Sequence, residues 1–308
     1  MTDFRLHQLS DHLYVIDAWM QGEPERLACY LFDTPERVLI ECGPSLTMDH
    51  LFAGLEQLGI DDLAMLVVSH VHLDHAGAAG HVAARFRRAR IGVHREGARH
   101  LVDPSRLWSS ATRAYGGEDA TRALWGPMEA VPEHRLLVLE EGDRVPLGGG
   151  RFLEVLYTPG HARHHIVFFD PQGGGAFIGD SVGVAYPHGH IVQPVTPPPD
   201  FDPGLVVEQL HRIGKLEPAF LGFAHFGPEY RVKEALGEAE ERLWSWVGFV
   251  ESLPTDDPQE ATQRLRSWVL EGYREEGYPE AVLAEYDEAT YWPMQAVGIM
   301  RWLSNREG

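Results

Sequence analysis

Apolar and polar positions alternate from residue 4 to 42, through Leu13-Tyr14-Val15-Ile16, Ala28-Cys29-Tyr30-Leu31-Phe32 and Val38-Leu39-Ile40, with a turn at Asp33-Thr34-Pro35-Glu36. This period of two predicts a β-meander. The spacing then becomes helical at Leu51, Phe52, Leu55 and Leu58, closed by Gly59 where a left-handed residue can end a helix. The run Met65-Leu66-Val67-Val68 predicts a buried strand. A helix over about 77–88 follows, with Val82 and Phe86 inward and Arg85, Arg87 and Arg88 toward solvent. Ile91-Gly92-Val93-His94 predicts another strand, with helix from near Glu96. From about 99 to 130 no strand pattern occurs, and Trp108, Tyr115, Trp125 and Met128 stand among Ser, Gly and Pro. This stretch is an insertion whose aromatics either shape an apolar pocket or pack it onto the body.

The second half repeats the scheme. Leu136-Leu137-Val138-Leu139, residues 151–156, His165-Ile166-Val167-Phe168-Phe169, Ala176-Phe177-Ile178 and Ala219–Ala224 read as strands. The proline-rich run 194–199 is extended and barred from a sheet interior. Asp202-Pro203 is a good helix start, with Val206, Leu210 and Ile213 inward. Beyond 228 the pattern is helical only, over about 229–252, 257–275 and 279–304, with a break marked by Pro254 and Pro258. The chain therefore divides into a body, 1–232, and a helical C-terminal region, 233–308. The tryptophans of that region pack on the body or on a second subunit, so a homodimer through these helices is an expectation.

The strand ends carry the chemistry. After Val68 comes Ser69-His70-Val71-His72-Leu73-Asp74-His75-Ala76-Gly77, three histidines and an aspartate in six positions. His70 and His72, two apart on extended backbone, point the same way and can grip one cation, while Asp74 and His75 turn toward a second. Later strands end at Thr158-Pro159-Gly160-His161, at Gly179-Asp180 and at His225. Five imidazoles and two carboxylates suit a pair of borderline-hard divalent ions, and a carboxylate can bridge them. Glu41, at the end of another buried strand, either holds the backbone of the His-rich loop or faces water. His164 and His165 could reach the site or simply pack. His188 and His190 could line the pocket mouth, and His94 and His100 have no distinguishing context.

Charge narrows the partners. The 308 residues carry 26 Lys and Arg against 46 Asp and Glu, a formal charge of -20. Such a chain repels polyanions, so a nucleic-acid surface is not expected. Cys29 and Cys42 form no disulfide framework and have no metal-site spacing, so both are expected in the core. No apolar signal region opens the sequence and no stretch approaches a membrane span, which gives a cytoplasmic expectation.

The His-X-His-X-Asp-His run, the Pro-Gly-His turn, the Gly-Asp pair and the final His, in this order, resemble the metallo-β-lactamase-fold hydrolase superfamily over residues 10 to about 230. The resemblance implies an α/β (α+β) fold, a four-layer αββα sandwich of two mixed sheets. It also implies that His70, His72 and His161 hold one metal and Asp74, His75 and His225 the other, with Asp180 bridging. Many members have aspartate where this chain has Glu41. True β-lactamases of the fold usually lack the bridging aspartate, so Asp180 argues against drug hydrolysis. The set is similar to that of glyoxalase II, lactonases and phosphodiesterases. The helical C-terminal region is also similar to that of glyoxalase II, although no Lys/Arg-rich stretch is there to seat an anionic thiol ester.

The expected function is hydrolysis. Two metals about 3.5 to 4 Å apart would share a water, lower its pKa toward ~7 and present hydroxide to an ester, thioester or lactone of a small molecule. Asp74 and Asp180 are the candidate catalytic carboxylates. Zinc is the first choice of metal, with manganese and iron open because availability decides among them. The insertion's aromatics and the acidic surface favour an apolar or weakly charged substrate. Three alternatives stay open: a phosphodiesterase, an iron-dependent redox enzyme resembling sulfur dioxygenases, and a non-catalytic metal-containing binding protein.

Overall fold

The computed structural model describes residues 6–306. Seven strands form the first sheet in sequence order: β1 (Leu6–Ser10), β2 (Leu13–Asp17), β3 (Ala28–Phe32), β4 (Val38–Ile40), β5 (Met65–Val67), β6 (Arg90–His94) and β7 (Leu136–Leu139). Pairing is antiparallel through β4 and parallel from β4 to β7. Parallel neighbours need crossovers, and here the helices enter. α1 (Met48–Gln57) joins β4 to β5, and α2 (Leu73–Ala76) with α3 (Ala79–Arg85) joins β5 to β6. The insertion between β6 and β7 is three helices, α4 (Arg95–Val102), α5 (Ser105–Ala114) and α6 (Glu118–Trp125).

The second sheet contains β8 (Arg144–Gly148), β9 (Arg151–Tyr157), β10 (Ile166–Phe169), β11 (Gly175–Gly179), β12 (Phe220–Phe223) and β13 (Gly227–Glu229), ordered β13-β12-β11-β10-β9-β8. Its one parallel pair, β11 with β12, is bridged by α7 (Pro203–Gly214), which starts with Asp202 accepting from the Leu205 amide at 3.1 Å. Four helices follow: α8 (Val232–Glu251), α9 (Pro258–Glu275), α10 (Glu280–Ala289) and α11 (Trp292–Arg306).

The alternation of side chains makes two mixed sheets into a sandwich. Val15, Tyr30, Phe32, Val38, Ile40 and Val67 of the first sheet meet Leu153, Val155, Ile166, Phe168 and Phe177 of the second in one buried cluster. Phe177 sits edge-on to Tyr30 and Phe32 at 4.9 and 5.4 Å, and the Tyr30 hydroxyl donates to the Phe223 carbonyl at 2.8 Å across the layer. The opposite face of the first sheet, with Ile16, Cys29, Leu31, Leu39, Leu66 and Val68, is covered by Leu51, Leu55, Val82 and Phe86. Both cysteines are buried and free. The outer face of the second sheet, with Leu156, Val167, Ile178 and Leu221, packs on Val206, Leu210 and Ile213 of α7. Trp246, Tyr273, Tyr286 and Trp292 extend that same cluster, so the C-terminal helices share a core with the sheet. No described helix is long and apolar enough to cross a membrane.

Several local expectations change. The helix expected over 77–88 is shorter, Ala79–Arg85, and a separate helical turn, Leu73–Ala76, precedes it in the His-rich loop. Arg85 and Arg88 are less free than a solvated face implies: Arg85 pairs with Glu56 over the Phe52 ring, and Arg88 lies 3.2 Å from Asp62. The helix expected over 279–304 breaks at Thr290, and Pro293 sits in the first turn of α11, where its missing N–H costs nothing. β8 and β13 are additional strands containing Pro146 and Pro228. Both lie at the sheet's edges, where a proline need not donate.

The C-terminal helices also hold a loop. The Tyr286 hydroxyl donates to the Ile191 carbonyl at 2.7 Å and accepts from the amides of Tyr186 and Ile191. Gln295 accepts from the Thr196 amide at 2.6 Å, and a Cβ on Gly298 would lie 1.7 Å from the Thr196 carbonyl oxygen. Gly298→Ala is therefore expected to push α11 off this loop and to cost about 1–3 kcal/mol in urea unfolding. An unchanged urea midpoint would contradict that packing.

Candidate metal centre

Four strand ends of the two sheets converge here. β5 leads through Ser69 to His70 and His72, and α2 turns Asp74 and His75 back toward them. His161 follows β9, Asp180 follows β11 and His225 follows β12. The seven residues fall into two groups whose ligand atoms lie within 4.8 Å of one another: His70, His72 and His161, and Asp74, His75, Asp180 and His225.

The atoms facing inward are lone pairs. His161 Nδ1 donates to the Val195 carbonyl at 3.2 Å and His225 Nδ1 to the Arg26 carbonyl at 2.7 Å. A carbonyl can only accept, so these partners place the proton on Nδ1 and leave Nε2 bare. His75 Nδ1 lies 3.3 Å from Glu41 Oε1, which favours the same tautomer. His70 Nδ1 is 2.9 Å from the Ser69 hydroxyl. Inside, His72 Nδ1 is 2.9 Å from His70 Nε2 and 3.1 Å from His161 Nε2, and His75 Nε2 is 3.3 Å from His225 Nε2. Asp180 spans the groups, with Oδ2 3.6 Å from His161 Nε2 and Oδ1 3.3 Å from His75 Nε2. Buried Asp180 Oδ1 accepts no hydrogen bond. Too few protons serve this many acceptors, and a cation in each group resolves the deficit, so the donor set fits divalent metal ions.

Burial sets the charge states. It pushes His70 well below the usual imidazole range, with crowding by His75 and His72 adding to it, and takes His72 down to about 4. The first group is thus neutral, the form that ligates. In the second, burial opposes charge on Asp74, but the neighbouring His75 and His225 outweigh it and bring Asp74 to about 2. Asp74 is also the more open carboxylate, with 24% of its side chain exposed against 4% for Asp180.

The supporting residues were only partly foreseen. Glu41 is buried, with φ of 65°, and both its oxygens lie 3.4 Å from the Ser69 amide. Of its two readings, the buttress of the His-rich loop is the one seen. His165 is buried and receives the Asp180 amide on Nε2 at 3.1 Å, which leaves Nδ1 to donate to Thr158 Oγ1 at 2.7 Å. It therefore fixes Asp180 through the backbone. Gly179, at φ of 50°, makes this possible, since a Cβ there would lie 2.6 Å from both His165 Nε2 and Ser69 Oγ. The carbonyls of Arg26 and Val195 and the hydroxyl of Thr158 were missed, because a backbone acceptor distant in sequence leaves no residue-type signal.

The cluster opens into a cleft of about 1680 Å³. Trp19, Leu46, Tyr115, Trp125, Tyr186 and Tyr291 line it, with Pro194 and Pro197–Pro199 of the proline run. The insertion serves both of its candidate roles. Trp125 packs in the core under the first sheet and also borders the cleft, while Tyr115 lies between Trp125 and Tyr291 at 5.5 and 4.9 Å. The Tyr291 hydroxyl donates to the Ala114 carbonyl at 3.1 Å, tying the C-terminal helices to the insertion.

The family model described as the metallo-beta-lactamase superfamily matches residues 24–225. The chain belongs to this superfamily. It is 32% identical over 228 residues to a metallo-beta-lactamase fold-containing protein of Sulfurisphaera tokodaii, covering 69% of this chain and 83% of that one. A hydroxyacylglutathione hydrolase of Microcystis aeruginosa is 29% identical over 157 residues, 49% of this chain and 48% of its own length. Among solved structures, an archaeal superfamily protein from Sulfolobus tokodaii aligns with a TM-score of 0.68 at 24% identity, over 97% of this chain and 100% of its own. A family protein from Thermus thermophilus gives 0.68 at 18%, over 97% and 95%.

The superfamily's αββα fold is thus present, and of the remaining histidines His164 lies against the cluster, its ring 6.2 Å from His70 and 5.9 Å from His72, while His94, His100, His188 and His190 lie outside it. His188 pairs with Glu285 at 2.9 Å and His190 lies 3.8 Å from Glu229, and neither borders the main cleft. His94 caps α4, accepting from the Glu96 amide at 3.0 Å. His164 and His100 do border the cleft, and burial takes His164 down to about 3. Gly179-Asp180-Ser181-Val182-Gly183 has the Gly-X-Ser-X-Gly spacing of a nucleophile elbow, which overturns the expectation that the chain contains none. Its serine is not armed: Ser181 is buried and its hydroxyl donates to the Ile178 carbonyl at 2.8 Å.

Glu41→Ala would leave the Ser69 amide and the His75 ring without their buried partner. The expected result is metal affinity lower by about 10–100-fold in chelator competition and stability lower by about 1–3 kcal/mol. Wild-type affinity in the variant would remove Glu41 from the site.

Proposed function

We propose that the protein is a binuclear metal-dependent hydrolase acting on an ester, thioester or lactone of a small molecule. The observation that carries this reading is Asp180, whose two oxygens face the two ligand groups while one of them is buried without a hydrogen bond. His70, His72 and His161 would hold one ion and Asp74, His75 and His225 the other, with Asp180 shared. Bound divalent ions supply Lewis acidity for an oxygen that gains negative charge and acidify a nearby water toward neutral pH. Zinc is the proposed metal, with manganese and iron as its competitors.

The chain's own residues do the rest. The carbonyls of Arg26 and Val195 hold two imidazoles in the ligating tautomer, and the Glu41 carboxylate lies 3.3 Å from Nδ1 of a third, His75. Asp74, the cluster carboxylate open to the cleft, is placed to accept a hydrogen bond from the attacking water and to pass its proton toward the leaving group. Trp19, Tyr115 and Trp125 keep bulk water off the apolar part of a bound substrate. Relatives named hydroxyacylglutathione hydrolase act, by that name, on an acyl group, which supports the carbonyl reading over a phosphodiester.

Elemental mass spectrometry on protein purified without added metal, paired with turnover of chromogenic ester, thioester, lactone and bis-phosphate substrates, tests the proposal. About two zinc or manganese ions per chain, with turnover of a carbonyl substrate, is the expected result. Turnover of the bis-phosphate alone would replace it with a phosphodiesterase, and iron with an inert panel and oxygen uptake would replace it with redox chemistry. Full metal content with no turnover at all leaves a binding protein. Asp180→Ala is expected to lower turnover by at least about 10²-fold and to lose metal. Near-full rate at full metal content would sink the assignment. Chelation should abolish activity reversibly while the far-ultraviolet dichroism stays native, because the sandwich has its own core.

A further inference from the structure

The cleft is too large for a scissile bond alone. At about 1680 Å³ it exceeds the usual ~300–1,000 Å³ of a small-molecule site, so it has room for a remote portion of the substrate. The charges along its outer wall indicate what that portion carries. Acids outnumber bases 46 to 26 in this chain, and many of its arginines find carboxylates, among them Arg95 on Glu140, Arg242 on Glu238 and Glu276, and Arg266 on Asp287. The cleft's acids outside the ligand cluster are matched as well. Asp200 and Glu96 face Arg163, and Glu288 lies 3.9 Å from Arg26.

Three arginines that border the cleft, Arg99, Arg106 and Arg113, have no carboxylate within ion-pairing distance among the described residues. Asp103 is nevertheless near enough to Arg106 for that charge to add to the Ser105 hydrogen bonds that hold the Asp103 carboxyl below its usual range. Arg106 and Arg113 are seven residues apart, two turns of α5, and so share a face, with Ser109 and Ser110 between them on the cleft. Arg113 donates to Ser109 Oγ at 2.8 Å, and Arg99 of α4 to His100 Nε2 at 3.3 Å. In a molecule of charge -20, this leaves a locally positive wall beside a metal-binding cluster, the arrangement that draws an anion into a cleft.

We propose that Arg99, Arg106 and Arg113 form an anion subsite, and that the substrate is an ester or thioester bearing a carboxylate or phosphate remote from its scissile carbonyl. The scissile half of this statement rests on the hydrolytic reading above, while the anion subsite does not. Water adds to the carbonyl carbon, the C–O or C–S bond breaks, and the products are the free acid and the alcohol or thiol, with no change of oxidation state. This proposal departs from the expectation of an apolar or weakly charged substrate, which the insertion's aromatics and the acidic surface suggested. The subsite lies on the insertion and not on the C-terminal helices, where Arg242, Arg266 and Arg274 are paired with carboxylates.

The test compares metal-loaded wild type with Arg106→Gln/Arg113→Gln and Arg99→Gln. Substrates are 4-nitrophenyl acetate, its mono-succinate analogue with a free carboxylate, and an acetyl ester of a phosphorylated alcohol. Glutarate and inorganic phosphate are also titrated by calorimetry. The preference in kcat/KM for one anionic ester over the neutral one should fall on the order of tenfold in the double variant, chiefly through KM. The anion that matches that ester should lose affinity alike, which decides between carboxylate and phosphate. Arg→Lys at the same positions should retain most of the preference, and Arg87→Gln, outside the cleft, should leave it unmoved. An unchanged preference together with unchanged anion affinity overturns the subsite. Weakened anion binding with no ester turned over by wild type keeps the subsite and rejects the hydrolase.

Discussion

The structure depends on one unmet demand: more lone pairs are buried at the meeting of two sheets than the protein has protons to satisfy. Three imidazole nitrogens converge on His72 and its neighbours, and an orphaned carboxylate oxygen of Asp180 faces two more. Left alone, such a cluster is costly, because each unpaired buried polar group forfeits its hydration. The fold tolerates it because the groups are held from behind. Arg26, Val195, Glu41, Ser69 and His165 each fix a ring or a backbone amide, and their contacts aim the free lone pairs at two common points.

Those supports come from both sheets and from the loops between elements. Glu41 ends β4, His165 precedes β10, Val195 lies in the proline-rich loop and Arg26 precedes β3. The loop behind His161 is in turn held by Tyr286 and Gln295 of the C-terminal helices, and Tyr291 bonds the insertion across the cleft. The centre, the cleft and the C-terminal helices therefore form one mechanical unit. This explains why the helices share a core with the second sheet and have no separate core of their own.

Much of this was legible in the chain. The period-two strands and the four strand-end motifs were readable because both faces of each strand and all seven ligand-type side chains carry residue-type signals. Resemblance then supplied the division into two groups, and the geometry brings the same residues together. What escaped the sequence has physical reasons. β8 and β13 contain prolines that only an edge position permits, and a helix boundary at Thr290 depends on how α11 packs. The carbonyls behind His161 and His225 are anonymous in sequence. His165 resembled its neighbour His164 until its ring was seen to receive the Asp180 amide. The cationic wall was hidden because the chain's total charge has the opposite sign.

The central claim is that two cations occupy the two ligand groups, with Asp180 between them. It is tested most directly by anomalous diffraction from crystals of protein purified without added metal, with data on both sides of the zinc, iron and manganese edges. The account predicts two anomalous peaks, one among His70, His72 and His161 and one among Asp74, His75 and His225, each in contact with an Asp180 oxygen. A single peak, or none with the seven side chains closed on one another by hydrogen bonds, would contradict it.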